Sequence, residues 1–107
     1  MTRKRTYSED ISWSLMKELD PFDRELRREY GITLTTYKAL LKSQNNCCAI
    51  CGKRIYDKRL SIDHCHKSGF VRGLLCQNCN LGLGLLGDNL ESLKKAVVYL
   101  TSFYGEN

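Results

Sequence analysis

The sequence predicts a small α+β domain, with helices on either side of one short β-hairpin. Three observations lead there. Apolar residues recur at helical spacing before residue 46 and after residue 87. Two apolar runs, RLSIDHCH and FVRGLLC, are separated by Lys67-Ser68-Gly69, which reads as strand, turn, strand with Gly69 at the turn. Two Cys-x-x-Cys pairs, Cys48 with Cys51 and Cys76 with Cys79, bracket that hairpin. At 107 residues the chain is expected to form one domain, whose modest core would gain from a second source of stability.

The elements can be justified in order. ISWSLMKEL, residues 11–19, reads as a short helix with Ile11, Leu15 and Leu19 on one face. Asp20-Pro21 then starts a second helix, Asp as N-cap and Pro at the first helical position, which runs through PFDRELRREY to a stop at Gly31. Thr33 caps a third, LTTYKALLKSQ, with Leu34, Tyr37, Leu40 and Leu41 on its apolar face and Asn45-Asn46 closing it. After the hairpin, QNCNLGLGLLG has helical leucine spacing. Gly82 and Gly84 cost that helix about 1 kcal/mol each against Ala, so it needs outside support or admits a close backbone. In the last segment Asp88 and Glu91 read as a capping box. Leu90, Leu93, Val97, Leu100 and Tyr104 form a stripe expected to pack in the core. The division is residues 1–46 as a helical N-terminal extension packed on the core, and residues 47–107 as the core with its C-terminal helix.

The paired cysteines have the spacing at which a tight turn presents two sulfurs to one ion, and two such pairs complete a tetrahedral four-thiolate site, the closed geometry of structural zinc. The start, MTRKRTYSED, is polar and charged, so neither a secretory signal nor a membrane span is expected, and a reducing, cytoplasmic setting favours metal over disulfides. Cys47 and Cys65 are left over; the Cys-x-x-Cys register selects Cys48 rather than Cys47.

The formal net charge is +5, unevenly spread. Residues 47–87 hold six Lys/Arg against two Asp, whereas residues 88–107 hold two Lys against three acids. The positive excess therefore lies on the segment with the Cys and His residues, and a polyanion such as nucleic acid is a natural partner.

A zinc ion with four cysteine ligands leaves Asp63, His64, His66 and Asn80 unexplained. In a regular strand Asp63 would face away from His64, so the two can serve one site only if the strand bends or ends there. Asn80 directly follows the last cysteine, at the start of a helix that the zinc would pin to the hairpin. Asp63 and the Asn80 amide are hard oxygen donors suited to Mg²⁺ or Mn²⁺, and His64 could accept a proton from an attacking water. Those are the parts of phosphodiester hydrolysis.

The stretches CAICGK, LSIDHCHKSGFVRGLLCQNCN and LGLLGD, with YGITLTTY upstream, resemble the phage recombination endonuclease VII family, a branch of the HNH or His-Me finger nucleases; the likeness covers roughly residues 24–100. It implies a ββα-metal fold with structural zinc on Cys48, Cys51, Cys76 and Cys79. It implies Asp63 and Asn80 as ligands of the catalytic Mg²⁺ or Mn²⁺ and His64 as general base, acting in the cytoplasm of a phage host. For His66 a phosphate contact, a metal-water contact and a structural hydrogen bond all stay open. Lys67 and Arg72 are candidates for DNA phosphate contacts on charge and position. The expectation is a metal-dependent DNA endonuclease, with DNA and no membrane as partner and a homodimer left open. The alternative is a non-catalytic zinc-ribbon module that only binds nucleic acid.

Overall fold

A computed structural model describes residue 15 and residues 17–105; the helix expected over residues 11–19 falls largely outside them. Among the described residues the order is α1 (Pro21–Tyr30), α2 (Leu34–Ser43), β1 (Ser61–His64), β2 (Val71–Leu75), α3 (Gln77–Leu85) and α4 (Leu90–Tyr104). The class is the α+β arrangement the sequence predicts.

Local chemistry sets the first two helices. The Asp20 carboxylate accepts from the Phe22 N–H with Pro21 at the first turn, and Gly31 closes α1 in the left-handed region. The Thr33 hydroxyl accepts from the Thr36 N–H to start α2. A buried acid joins them: one Asp23 carboxylate oxygen accepts from Arg27 Nε at 3.0 Å and from the Leu34 N–H at 3.1 Å. That second bond satisfies a helix N-terminal donor and holds a carboxylate where a helix dipole favours it.

The two strands pair antiparallel, and the chain reverses between them through a Cys65 to Phe70 turn in which Gly69 takes φ +82°. Register runs Ser61 to Leu75, Ile62 to Leu74 and Asp63 to Gly73, then slips, so that His64 pairs with Val71. Arg72 is the extra residue of a β-bulge. Such an insertion twists the strand and re-aims side chains.

Leu26, Tyr37, Leu60, Leu74 and Leu75 form the buried core together with Cys48 and Cys76. Helix α2 is stapled to it by one side chain. Gln44 Nε2 donates to the carbonyls of Cys47 and Leu74, each at 2.9 Å, and Gln44 Oε1 accepts from the Leu74 N–H at 3.0 Å. The amide thus completes the edge of β2 as a neighbouring strand would. Gly73 allows the approach, since a Cβ there would lie 3.3 Å from Gln44 Oε1.

Two expectations are corrected, and of the two alternatives for the glycines one holds. The cap of α4 is Asn89, whose side chain accepts from the Ser92 N–H, not an Asp88–Glu91 box. Asp88 stands outside the helix at φ +52° with its carboxylate on Arg72. The stripe on α4 is not core within the described chain: Leu90, Val97, Leu100 and Tyr104 are exposed, and Leu93 is half-buried. A Cβ at Gly82 or Gly84 would meet nothing within 4 Å, so those glycines do not mark a close backbone. Helix α3 gains its support from packing on β1 and β2 instead, with Leu83 against the core.

The Gln44 staple makes a quantitative expectation. Gln44→Ala strands the Leu74 N–H and removes a donor from the Cys47 and Leu74 carbonyls, the second of which keeps the Ala49 N–H, and should destabilise the domain by roughly 1–3 kcal/mol. Ser43→Ala, next to it on the exposed side, should change stability by less than about 1 kcal/mol. Urea denaturation of the two variants beside wild type checks this.

Candidate functional site

Two tight turns carry the cysteine pairs. In the first, Cys48 donates its N–H to the Lys53 carbonyl, its own carbonyl accepts from Gly52, and the Ile50 N–H points at Cys48 Sγ at 3.4 Å. In the second, Cys76 directly follows β2 and caps α3, its sulfur accepting from the Cys79 N–H. The Ala49 N–H donates to the Leu74 carbonyl, so the first turn is tied to the strand that leads into the second.

All four sulfurs lie within 4.8 Å of one another, and Cys51 and Cys76 are 3.8 Å apart. A tetrahedral zinc with bonds of about 2.3 Å needs sulfurs about 3.8 Å apart. The cluster therefore has the geometry of a structural metal site such as zinc. Among the described residues it is the one group of three or more His, Cys, Asp or Glu so arranged. The electrostatics agree. Burial works against the Cys48 thiolate, yet backbone N–H groups around its sulfur bring the thiol down to about 6. Burial and the three neighbouring sulfurs push Cys79 up to about 12. One proton leaves easily and the last leaves only when a cation offsets the crowded negative charge. Cys47 and Cys65 lie outside the cluster, as their register predicts. The Cys65 thiol is brought down to about 7 by the Ser68 hydroxyl and N–H beside it.

The hairpin carries the second set. Asp63 is buried in β1, and both its oxygens accept from Arg72, from Nε at 2.7 Å and Nη2 at 2.8 Å. In an unbroken ladder residue 72 would face the side opposite Asp63; the bulge turns it to the same side. Arg72 Nη2 also donates to Asp88 at 2.8 Å, and this contact holds the Asp88 carboxyl below its usual range. Asp88 in turn lies 3.7 Å from His66 Nδ1, ion-pair range when His66 is protonated. The His66 ring meets the His64 ring at 5.1 Å between centroids, and His64 meets Tyr30 at 5.8 Å, both edge-on. Asp63, Arg72, Asp88, His66 and His64 thus form one continuous chain of contacts. Asn80 is half-buried in the first turn of α3, its N–H on the Cys76 carbonyl. Lys67 is exposed in the hairpin turn.

Residues 23–102 match the recombination endonuclease VII family. The chain belongs to that family. It is 50% identical over 76 residues to the Gene 59 protein of Mycobacterium phage D29, and 47% identical over 76 residues to the Gene 59 protein of Mycobacterium phage L5. Each match covers 66% of this chain and 44% of the relative, so the chain spans less than half the length of the curated relatives it matches. No solved structure matches it significantly. No helix among the described residues is long and apolar enough to cross a membrane.

Within this endonuclease VII family member, sequence reasoning missed two residues at the hairpin site. Asp88 was absorbed into a helix cap, a role that its neighbour Asn89 holds. Tyr30 gave no signal, because an aromatic residue at the end of a helix reads as packing. Arg72 was singled out for its charge, but its guanidinium is engaged by two carboxylates.

The sulfur geometry predicts one zinc per chain. Cys48→Ala and Cys76→Ala should lose it and with it most of the thermal transition, whereas Cys47→Ala and Cys65→Ala should keep full occupancy. Elemental analysis with thermal denaturation decides between these outcomes.

Proposed function

We propose that the chain is a metal-dependent DNA endonuclease of the HNH, His-Me finger type, in which the hairpin and α3 form a ββα-metal core. The observation that carries the reading is the run of contacts that links Asp63 to His64 through Arg72, Asp88 and His66. A regular strand would send the two side chains to opposite faces, and β1 ends at His64, opposite the β2 bulge that turns Arg72 toward Asp63. Family membership supports hydrolysis of a DNA phosphodiester, and the phage relatives support action in the host cytoplasm.

In this reading the residues divide the work. His64 accepts the proton of the attacking water, histidine being the side chain that changes charge near neutral pH. Tyr30 and His66, edge-on to the His64 ring, restrict its rotation. Asp63 and the Asn80 amide oxygen hold the divalent ion, a hard oxygen set that does not compete for the thiolate metal. Magnesium or manganese held there would supply charge stabilisation at the phosphate and the departing oxygen. The fit is supported by the state of Asp63: a buried carboxylate already facing a cation, Arg72. Arg72 has a second anchor on Asp88, so it can stay beside the site when Asp63 turns to a metal, and there it can meet the phosphate.

His64→Ala should lower cleavage of plasmid DNA by about 10²–10⁴ while zinc content and DNA affinity stay near wild type. Asp63→Ala and Asn80→Ala should raise the Mg²⁺ concentration needed for half-maximal cleavage. Cleavage by His64→Ala at the wild-type rate would remove the general base from this scheme. A wild-type protein that binds DNA and leaves it intact in Mg²⁺ would be the non-catalytic zinc module instead.

A further inference from the structure

Most of the positive charge of the central segment lies away from the hairpin site. Of the six cations in residues 47–87, four fall between Lys53 and Arg59. Three of these, Arg54, Lys58 and Arg59, join Lys38 around a pocket of about 530 Å³ bounded by α1, α2 and the loop before β1. Its floor is rigid. Phe22 and Tyr37 meet edge-on at 5.1 Å, and the Arg59 guanidinium sits 3.8 Å over the Phe22 ring. Tyr56 stands at the rim, 87% exposed.

The charges of this pocket are not neutralised. Arg54 donates to the Asn45 carbonyl and Lys58 to the Gln77 amide oxygen, both neutral acceptors. Among the described residues none of the four cations is paired with a carboxylate. Asp20 is the one acid among the described lining residues, so four cations stand there against one carboxylate.

We infer that this pocket binds a single, unpaired nucleic-acid strand, its phosphates on Lys38, Arg54, Lys58 and Arg59 and one base against Tyr56. Unpaired cations around an exposed ring are the composition of strand-binding grooves, where charge follows the backbone and π faces stack bases regardless of sequence. The volume is in the range of pockets that enclose small ligands, enough for a nucleotide. The position suits a strand that also reaches the hairpin. Helix α1 brings Phe22 to the pocket and Tyr30 to His64, positions about 12 Å apart along a helix. That distance is about three or four nucleotides of a stacked strand. The inference rests on DNA being the substrate and adds where a strand beyond the scissile phosphate is held.

Fluorescence anisotropy tests it, with a labelled oligothymidylate strand and a blunt duplex, without added Mg²⁺ and at several salt concentrations. The proteins are wild type, Tyr56→Ala and the double variant Lys38→Gln with Lys58→Gln, all surface changes, with zinc content measured as a folding control. Tyr56→Ala should weaken strand binding about fivefold or more and duplex binding much less. The double variant should lower the slope of log affinity against log salt on the strand by about 1.4, at about 0.7 per cation. Wild-type affinity and slope for the strand in both variants would overturn the pocket's role and leave the nuclease proposal standing. A wild-type protein that binds neither DNA would overturn both.

Discussion

Four sulfur atoms drawn to one point hold this chain together. The cluster joins two turns that are far apart in sequence, and Cys76 has three places at once: directly after β2, at the cap of α3 and in the metal site. Among the described residues the buried core is small, five apolar side chains and two cysteines with a layer of half-buried apolar residues against it. A structural zinc contributes about 10–16 kcal/mol in small peptides, and a whole domain is typically stable by about 5–15 kcal/mol. A metal bound on that scale would decide whether the hairpin and α3 are assembled at all. Everything carried on them, Asn80 included, is placed relative to the four-cysteine cluster.

The second constraint is a single inserted residue. Arg72 has no partner across the ladder, and this slip lets its guanidinium reach Asp63 and Asp88 together. Three elements then converge: β1 brings Asp63, β2 brings Arg72, and the link between α3 and α4 brings Asp88. The cluster fixes the frame and the bulge selects which side chains face one another within it. Neither would be enough alone, because a pinned but regular hairpin would turn Arg72 away from Asp63.

Features with short-range causes could be read in the sequence. Asp20-Pro21, Thr33 and Gly31 announce helix ends through bonds a few residues long, and the cysteine pairs announce their cluster by spacing. The hairpin followed from two apolar runs and a glycine. Features with long-range causes were not legible. The Gln44 staple joins residues 30 apart, and nothing near Gln44 distinguishes it from any polar residue ending a helix. The role of Asp88 was hidden because a neighbour, Asn89, does the capping that Asp88 was credited with. The α4 stripe has the period of a buried face, but period reports only that a face is apolar, not what covers it. The place of Asp63, His64 and Asn80 rested on chemistry and resemblance more than on pattern, since a two-residue periodicity separates Asp63 from His64.

The Arg72 fork has a thermodynamic consequence. A buried carboxylate without a counter-charge would draw in water or a proton, and the hollow around it would relax. Here the fork acts as a resident counter-ion, with both Asp63 oxygens accepting from one guanidinium. Any cation that comes to Asp63 then meets an exchange equilibrium, one positive group for another, rather than an open carboxylate. The affinity measured for such an ion is its intrinsic affinity reduced by that of the guanidinium it displaces. The displaced group is not lost to solvent, because Asp88 retains it. A divalent ion held by Asp63 as proposed would therefore have to displace a guanidinium already in place.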